Sequence, residues 1–253
     1  MSNYDISIII PVYLENKDVS DTLHELNQIS VIKGISLEVL IVNAFRNNKS
    51  YKSYPISRYP ALHIKNISLK KRMRLGELIR TCCAYSSGDY VLTLTGEGTQ
   101  DLNLLEEIYV KILENIKLVI VSRFEVVNMN SKTKFVFYQK VYRTLIWILL
   151  GQRISDSTNG FRAFDRRFVQ ALGVSRPGLS FFAEMTIKVL QSGGSIESIS
   201  VKNYLHNSSQ ISDRILNLQI PEKFQFKTEI FGYIFVIISA ISYRISNFRN
   251  ARK

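Results

Sequence analysis

The chain has 253 residues, 46% of them hydrophobic, so it can bury the core of one large domain. Its 33 Lys and Arg residues outnumber 21 Asp and Glu residues, and the formal net charge of +12 favours anionic partners. These include nucleotide phosphates, lipid phosphates, an anionic membrane surface and nucleic acid. Cys82 and Cys83 are the only cysteines, and their adjacency excludes a disulfide framework and a cysteine-based zinc site. A reducing, cytoplasmic setting is expected.

The ends of the chain bear on its relation to a membrane. Residues 1–5 carry no basic leader before the first apolar run, so no signal peptide is predicted. The longest apolar stretches, 141–150 and 230–241, are shorter than the ~20 residues that a spanning helix needs. We therefore expect a protein that does not cross a membrane.

Short apolar runs alternate with helical patterns along the first half of the chain. Residues 6–12 form a β-branched run typical of a strand buried on both faces. A helix containing Leu23, Leu26 and Ile29 is predicted next, and a second strand over 37–42 follows it. The later elements are a helix over 76–85, a strand over 90–94, a helix over 104–115 and a strand over 118–121. This alternation predicts an α/β fold with a doubly wound sheet, while the basic stretch 46–74 is predicted to be rich in loops.

In a doubly wound sheet the ligand crevice lies beyond the carboxyl ends of the strands. The residues that follow each apolar run are therefore the most informative about function. They are residues 13–16, 43–48, 95–100 and 122–123. We expect these segments to line one cleft.

Five segments in order carry a resemblance to a known family. They are residues 8–16, 86–92, 121–123, 149–164 and 181–185. Together they resemble the family-2 glycosyltransferases with the GT-A fold, in particular the polyprenyl-phosphate (dolichyl-phosphate mannose synthase-like) branch. The longest match is 149–164, which contains the Asp156, Gly160, Phe161 and Arg162 of the family's acceptor-side segment.

The resemblance implies a fold and an activity. The fold would be a Rossmann-like, mostly parallel sheet over residues 1–205, with C-terminal amphipathic helices and a basic, apolar tail over 206–253. The activity would be transfer of a hexose from a UDP- or GDP-sugar. The acceptor would be a polyprenyl phosphate or another surface glycan.

The resemblance also implies roles for individual residues. The donor would be bound by residues at the strand ends, namely Pro11, Tyr13, Glu15, Asn43, Glu97 and Arg123. Arg123 and Arg162 would face phosphate. Asp156 would orient the acceptor or the following loop, and an Asx-turn is the equally plausible alternative. Glu184 would be the general base, or else a carboxylate near the start of a helix.

The sequence departs from the family where a divalent cation is usually held. Asn43 and Ala44 replace an aspartate pair, and Gly96 and Gly98 occupy the aspartate positions of the D-x-D triplet. Glu97 alone is a weak ligand for Mg²⁺ or Mn²⁺. Two interpretations follow. Either Arg123, Arg162 and the basic run 70–74 neutralise the phosphate charge in place of the cation, or the protein is a non-catalytic relative that binds a nucleotide or serves as a scaffold.

Two regions combine aromatic and basic residues. Residues 132–150 form one, and the apolar run 230–241 with its basic end is the other. Both predict peripheral attachment to the cytoplasmic face of a membrane. Core helices or a homo-oligomer interface are the alternative. Nucleic-acid binding is suggested by charge alone, because no helix-turn-helix, zinc or RNA-binding motif is found, so no nucleic-acid partner is expected.

Overall fold

The structure is a computed structural model that describes most of the first two hundred residues and one later helix. The described residues are 4–12, 19–43, 56–69, 73–94, 102–122, 141, 143–148, 151–154, 156, 159–200 and 232–243. None of the helices in these ranges combines the length and the apolar character that crossing a membrane requires.

Within these ranges, seven strands form one sheet in the order β3-β2-β1-β4-β6-β5-β7. The strands are β1 (Ile6–Val12), β2 (Leu37–Asn43), β3 (Leu62–Ser68), β4 (Tyr90–Thr93), β5 (Leu118–Ser122), β6 (Arg162–Asp165) and β7 (Ile196–Ser200). All pairings are parallel except those of β6, which runs antiparallel to β4 and β5. The predicted α/β fold with a mostly parallel sheet is confirmed.

Helices cover both faces of the sheet. They are α1 (Ser20–Lys33), α2 (Leu75–Tyr85), α3 (Leu104–Leu113), α4 (Arg166–Ala171) and α5 (Ser180–Gln191). Residues 143–148 are also helical, and residues 232–243 form what we call the C-terminal helix. Because α1 and α3 share one core cluster while α2, α4 and α5 share the other, the sheet is doubly wound.

Strand alternation divides the apolar residues between the two cores. Ile8 and Ile10 of β1 pack with α1 and α3, whereas Ile9 packs with the helices on the other face. This explains why β1 is apolar at nearly every position. A strand covered on both faces has no side that can be polar without cost.

The basic stretch predicted to be loop-rich contains an edge strand. Residues 62–68 form β3, which pairs with β2 from Leu62 to Ser68, and residues 56–58 form a short 3₁₀ helix. Leu62 and Ile64 are buried, while His63 is exposed between them. The prediction of loop was wrong here because β3 is covered on one side only, and its polar positions obscured the two-residue period.

An ion pair between Glu38 and Lys65, together with a hydrogen bond from Ser7, joins β1, β2 and β3. The Glu38 side chain is fully buried on β2, and its carboxylate lies 2.5 Å from the Lys65 ammonium of β3. Ser7 Oγ and Ser87 N also donate to this carboxylate. Burial would raise the pKa of Glu38, but Lys65, Ser7 and Ser87 together hold that pKa below its ordinary value. The cluster therefore ties these strands together away from their carboxyl ends, where the crevice is predicted.

One face of the C-terminal helix packs on α5 and on Ile146 of the 143–148 helix. Val236 and Ala240 are buried against Ala183 and Ile187 of α5. The opposite side leaves apolar residues exposed, and we call this set the C-terminal apolar face: Ile234, Phe235, Ile238 and Ile241. The buried and exposed sets alternate with helical periodicity, so the same helix is both a core element and an apolar surface.

Candidate active site

The strand order reverses direction between β1 and β4, which places the expected ligand crevice beyond their carboxyl ends. Leu94 N donates to Ile9 O at 3.0 Å, the last bond between these strands within the described residues. Pro11, two residues further, faces the same neighbour and has no N–H to donate. The buried proline lies near the carboxyl end of β1, and its role at the donor site stays a prediction.

Polar side chains close the carboxyl edge of the sheet. Asn43 ends β2, Thr93 ends β4 and Ser122 ends β5, and all three are buried. Asn43 is aligned with Val12 of β1 and Ser68 of β3. Its amide can accept or donate a hydrogen bond but carries no charge. The structure thus brings Asn43 and Pro11 to one edge, as predicted.

Asn159 fixes the acceptor-side segment to this edge, a role that the sequence did not reveal. Its Nδ2 donates to Val121 O at 2.5 Å, and its Oδ1 accepts from Phe161 N at 3.2 Å. The side chain is buried and links the segment to β5. An Asn before a Gly is typical of an ordinary turn, so nothing in the local pattern distinguished it.

Arg162 lies inside the protein at the start of β6. Its side chain is fully buried, and Nε donates to Asn159 O at 2.6 Å. Nη1 donates to Phe182 O at 3.0 Å and to Thr186 Oγ1 at 3.1 Å, while the guanidinium lies 4.7 Å from the Phe182 ring centroid. This placement favours a role in joining β6 to α5 over the predicted contact with phosphate.

Asp156 is also fully buried. Asn159 N donates to Asp156 O, and the two atoms are 3.4 Å apart. This bond is made by the Asp156 backbone, so the Asx-turn alternative, which uses the side chain, stays a prediction. The orienting role of Asp156 toward an acceptor also stays a prediction.

Glu184 holds the turn that precedes α5. Its carboxylate accepts from Ser175 N at 2.9 Å and Arg176 N at 2.7 Å, and it pairs with Lys188 at 2.9 Å. Burial would raise the pKa of Glu184, but the Arg176, Lys188 and Ser175 contacts together keep that pKa below its ordinary value. A carboxylate whose oxygens are engaged in this way is a poorer base, so the geometry favours the structural alternative.

We expect Glu184→Gln to lower the free energy of unfolding at pH 7 by about 1.5–3 kcal/mol, the range for hydrogen bonds to a charged group. A lowered pKa stabilises the fold above the ordinary value of 4.5, and this contribution is lost as pH falls through the folded-state value. Urea titrations between pH 7 and 3 should show that the free energy of unfolding depends less on pH in the variant than in the wild-type protein.

The exposed Glu107 provides the control for this experiment. Glu107→Gln should leave both stability and its pH dependence near those of the wild-type protein. If Glu184→Gln instead keeps full stability and loses only transferase activity, the general-base interpretation is the better one.

Four predicted donor-site residues lie outside the described residues: Tyr13, Glu15, Glu97 and Arg123. Their roles stay predictions. Within the described ranges no group of three His, Cys, Asp or Glu side chains could hold a metal ion. Of the positions that the family resemblance assigns to the cation, the structure describes only Asn43, a neutral amide, so a cation would depend on Glu97 and on the phosphates of the donor.

Comparisons with known proteins agree with this architecture. Glucosyl-3-phosphoglycerate synthase of M. tuberculosis is 18% identical, with a TM-score of 0.53 over 87% of this chain and 83% of that chain. The structure of that synthase with Mn²⁺, UDP-glucose and phosphoglyceric acid is 16% identical, with a TM-score of 0.55 over 87% of this chain and 82% of that chain. S. aureus TarS is 16% identical, with a TM-score of 0.54 over 79% of this chain and 36% of its own.

These likenesses show the GT-A type of fold that the sequence predicted. No curated protein sequence gives a significant match. The model of the family described as glycosyl transferase family 2 matches residues 7–173, more than half of the chain. The chain therefore belongs to glycosyl transferase family 2.

Proposed function

We propose that the protein transfers a hexose from a UDP- or GDP-sugar to a polyprenyl phosphate at a membrane surface. Family membership and the change of direction in strand order between β1 and β4 support the donor class, and the synthase of similar fold binds UDP-glucose. In such a reaction the acceptor oxygen attacks the anomeric carbon, and the bond from that carbon to the nucleoside diphosphate breaks.

The state of Glu184 is the observation that carries the choice of acceptor. A hydroxyl acceptor needs a base to remove its proton, whereas a phosphate acceptor is already ionised at neutral pH. Glu184 is the carboxylate that the family resemblance assigns as the base, and its oxygens are engaged by Ser175, Arg176 and Lys188. This arrangement favours an acceptor that requires no deprotonation.

The C-terminal apolar face supports the membrane location. Ile234, Phe235 and Ile238 are each about half exposed, although they are large and apolar. The residues that follow include Arg244, Arg249 and Arg252, which suit anionic headgroups. A polyprenyl acceptor is confined to a membrane, so an enzyme that uses it benefits from docking there.

A second candidate is a non-catalytic relative that binds a nucleotide or acts as a scaffold. Gly96 and Gly98, at positions where the family usually carries aspartates, favour this alternative. Radiolabelled transfer distinguishes the two functions. Incubation with UDP- or GDP-hexose and a polyprenyl phosphate in detergent should yield a lipid-linked sugar, whereas nucleotide binding without any transfer would support the non-catalytic role.

Donor binding should depend only weakly on divalent metal. Asn43, Gly96 and Gly98 leave Glu97 as a lone carboxylate at the positions that usually hold the cation. Calorimetric titration with the preferred nucleotide sugar should therefore give dissociation constants that differ by less than about tenfold between Mn²⁺ and EDTA. Introducing aspartate at Gly96 and Gly98 should increase the metal dependence. Complete loss of binding in EDTA would contradict the prediction.

A further inference from the structure

A groove of about 400 Å³ lies between the start of α2, the turn before α5 and the C-terminal helix. This volume falls in the range of small-molecule sites. The groove is lined by two arginines and several apolar side chains, chiefly Arg74, Arg176, Pro177, Ile234, Phe235 and Ile238. None of the described residues that line it is acidic. The site therefore combines positive charge with an apolar wall.

Backbone contacts hold the start of α2 against the turn that carries Arg176. Glu77 N donates to Pro177 O at 3.0 Å. A Cβ on Gly76 would lie 2.3 Å from Arg176 O, so this approach between α2 and the turn requires glycine. The Arg176 guanidinium in turn lies 3.8 Å from the Phe235 ring centroid, which links the turn to the C-terminal helix.

The position of the groove relates it to the crevice. The parallel strand β3 precedes α2, and the parallel strand β7 follows α5. Both helices therefore begin on the side of the sheet where the parallel strands end. Apart from Arg74, the lining residues follow residue 173, where the match to the family model ends. The groove is thus a feature that the family match does not assign.

We propose that this groove binds the phosphate end of a single-chain isoprenoid phosphate, with the phosphate between Arg74 and Arg176 and the chain along Ile234 and Ile238. Arginine forks match the geometry of phosphate oxygens. An apolar chain gains free energy when it leaves water for an apolar wall. The choice of ligand rests on the proposed function, since it takes the acceptor class from there.

Calorimetric titration of the full chain with farnesyl phosphate, below the concentration at which it forms micelles, tests the site. Farnesyl phosphate should bind at least about tenfold more tightly than farnesol or inorganic phosphate. Arg74→Gln and Arg176→Gln should each weaken binding by about tenfold or more, which corresponds to about 1.4 kcal/mol. Arg153→Gln is the matched control, because its guanidinium also stacks on an aromatic ring, 4.4 Å from that of Trp147, but does not line the groove.

Three results would overturn the assignment. They are no binding of farnesyl phosphate, equal weakening by Arg153→Gln, and equally tight binding of dihexanoyl phosphatidylglycerol, which would indicate a general headgroup site. The transfer assay separates this inference from the proposed function. If farnesyl phosphate binding depends on Arg176 but no sugar is transferred, the groove assignment holds and the proposed function is wrong. If sugar is transferred but Arg176→Gln leaves the KM for lipid phosphate unchanged, the proposed function holds and the groove assignment is wrong.

Discussion

Replacing Ile234, Ile238 and Ile241 together by serine is expected to lower binding to anionic vesicles by about 100-fold or more. These side chains are 39–54% exposed and lie on one face of the C-terminal helix. Fully burying one such side chain contributes about 1.5–3 kcal/mol. If each gains about half of that by insertion at the interface, the three contribute about 3 kcal/mol, which corresponds to the stated loss.

Flotation with phosphatidylglycerol vesicles measures this effect. The wild-type protein should float with the vesicles, and the bound fraction should fall as salt rises, because exposed charges are screened beyond about 10 Å at 0.1 M. The control is the double substitution Val31→Ser and Ile32→Ser. Val31 and Ile32 are 65% and 74% exposed on α1, which packs on the other face of the sheet, so their loss should leave vesicle binding unchanged.

A different outcome would assign the C-terminal apolar face to another partner. If the wild-type protein ignores anionic vesicles, membrane docking is wrong. Sedimentation would then decide whether a second copy of the chain covers this face, since the triple substitution should convert a dimer to a monomer. The buried contacts of Val236 and Ala240 are untouched in either case, so the helix should stay packed on α5.

The strands that the sequence predicted well are those buried on both faces. β1, β2 and β5 are runs of β-branched and aliphatic residues, and their observed bounds differ from the predicted ones by at most one residue. β3 was missed because one of its faces is partly exposed and its polar residues merge with a basic stretch. β6 was missed because a four-residue antiparallel strand within a recognised segment has no periodicity of its own.

The site was predictable to the extent that it depends on strand ends. Pro11 and Asn43 could be placed because the carboxyl ends of parallel strands meet at one edge. Arg162 and Glu184 could not be assigned in the same way, because most of their partners lie on other elements: Arg162 contacts α5, and Glu184 contacts the turn before α5. A motif shows that an arginine or a carboxylate is present, but only tertiary contacts show whether its donors and acceptors are already used.

Arg162→Ala tests that distinction and should lower the free energy of unfolding by about 3 kcal/mol or more. The substitution would leave the acceptors at Asn159, Phe182 and Thr186 without their buried donor and would open a cavity beside the Phe182 ring.

Urea unfolding followed by circular dichroism gives the free energy, and Arg167→Ala on the exposed side of α4 is the control, with an expected change within about 0.5 kcal/mol. The free energy of unfolding of Arg162→Lys should lie between those of Arg162→Ala and Arg167→Ala, because one ammonium cannot reproduce the planar fork that spans β6 and α5. If Arg162→Ala unfolds like the wild-type protein but binds the nucleotide sugar at least tenfold more weakly, the guanidinium faces phosphate in the working enzyme after all.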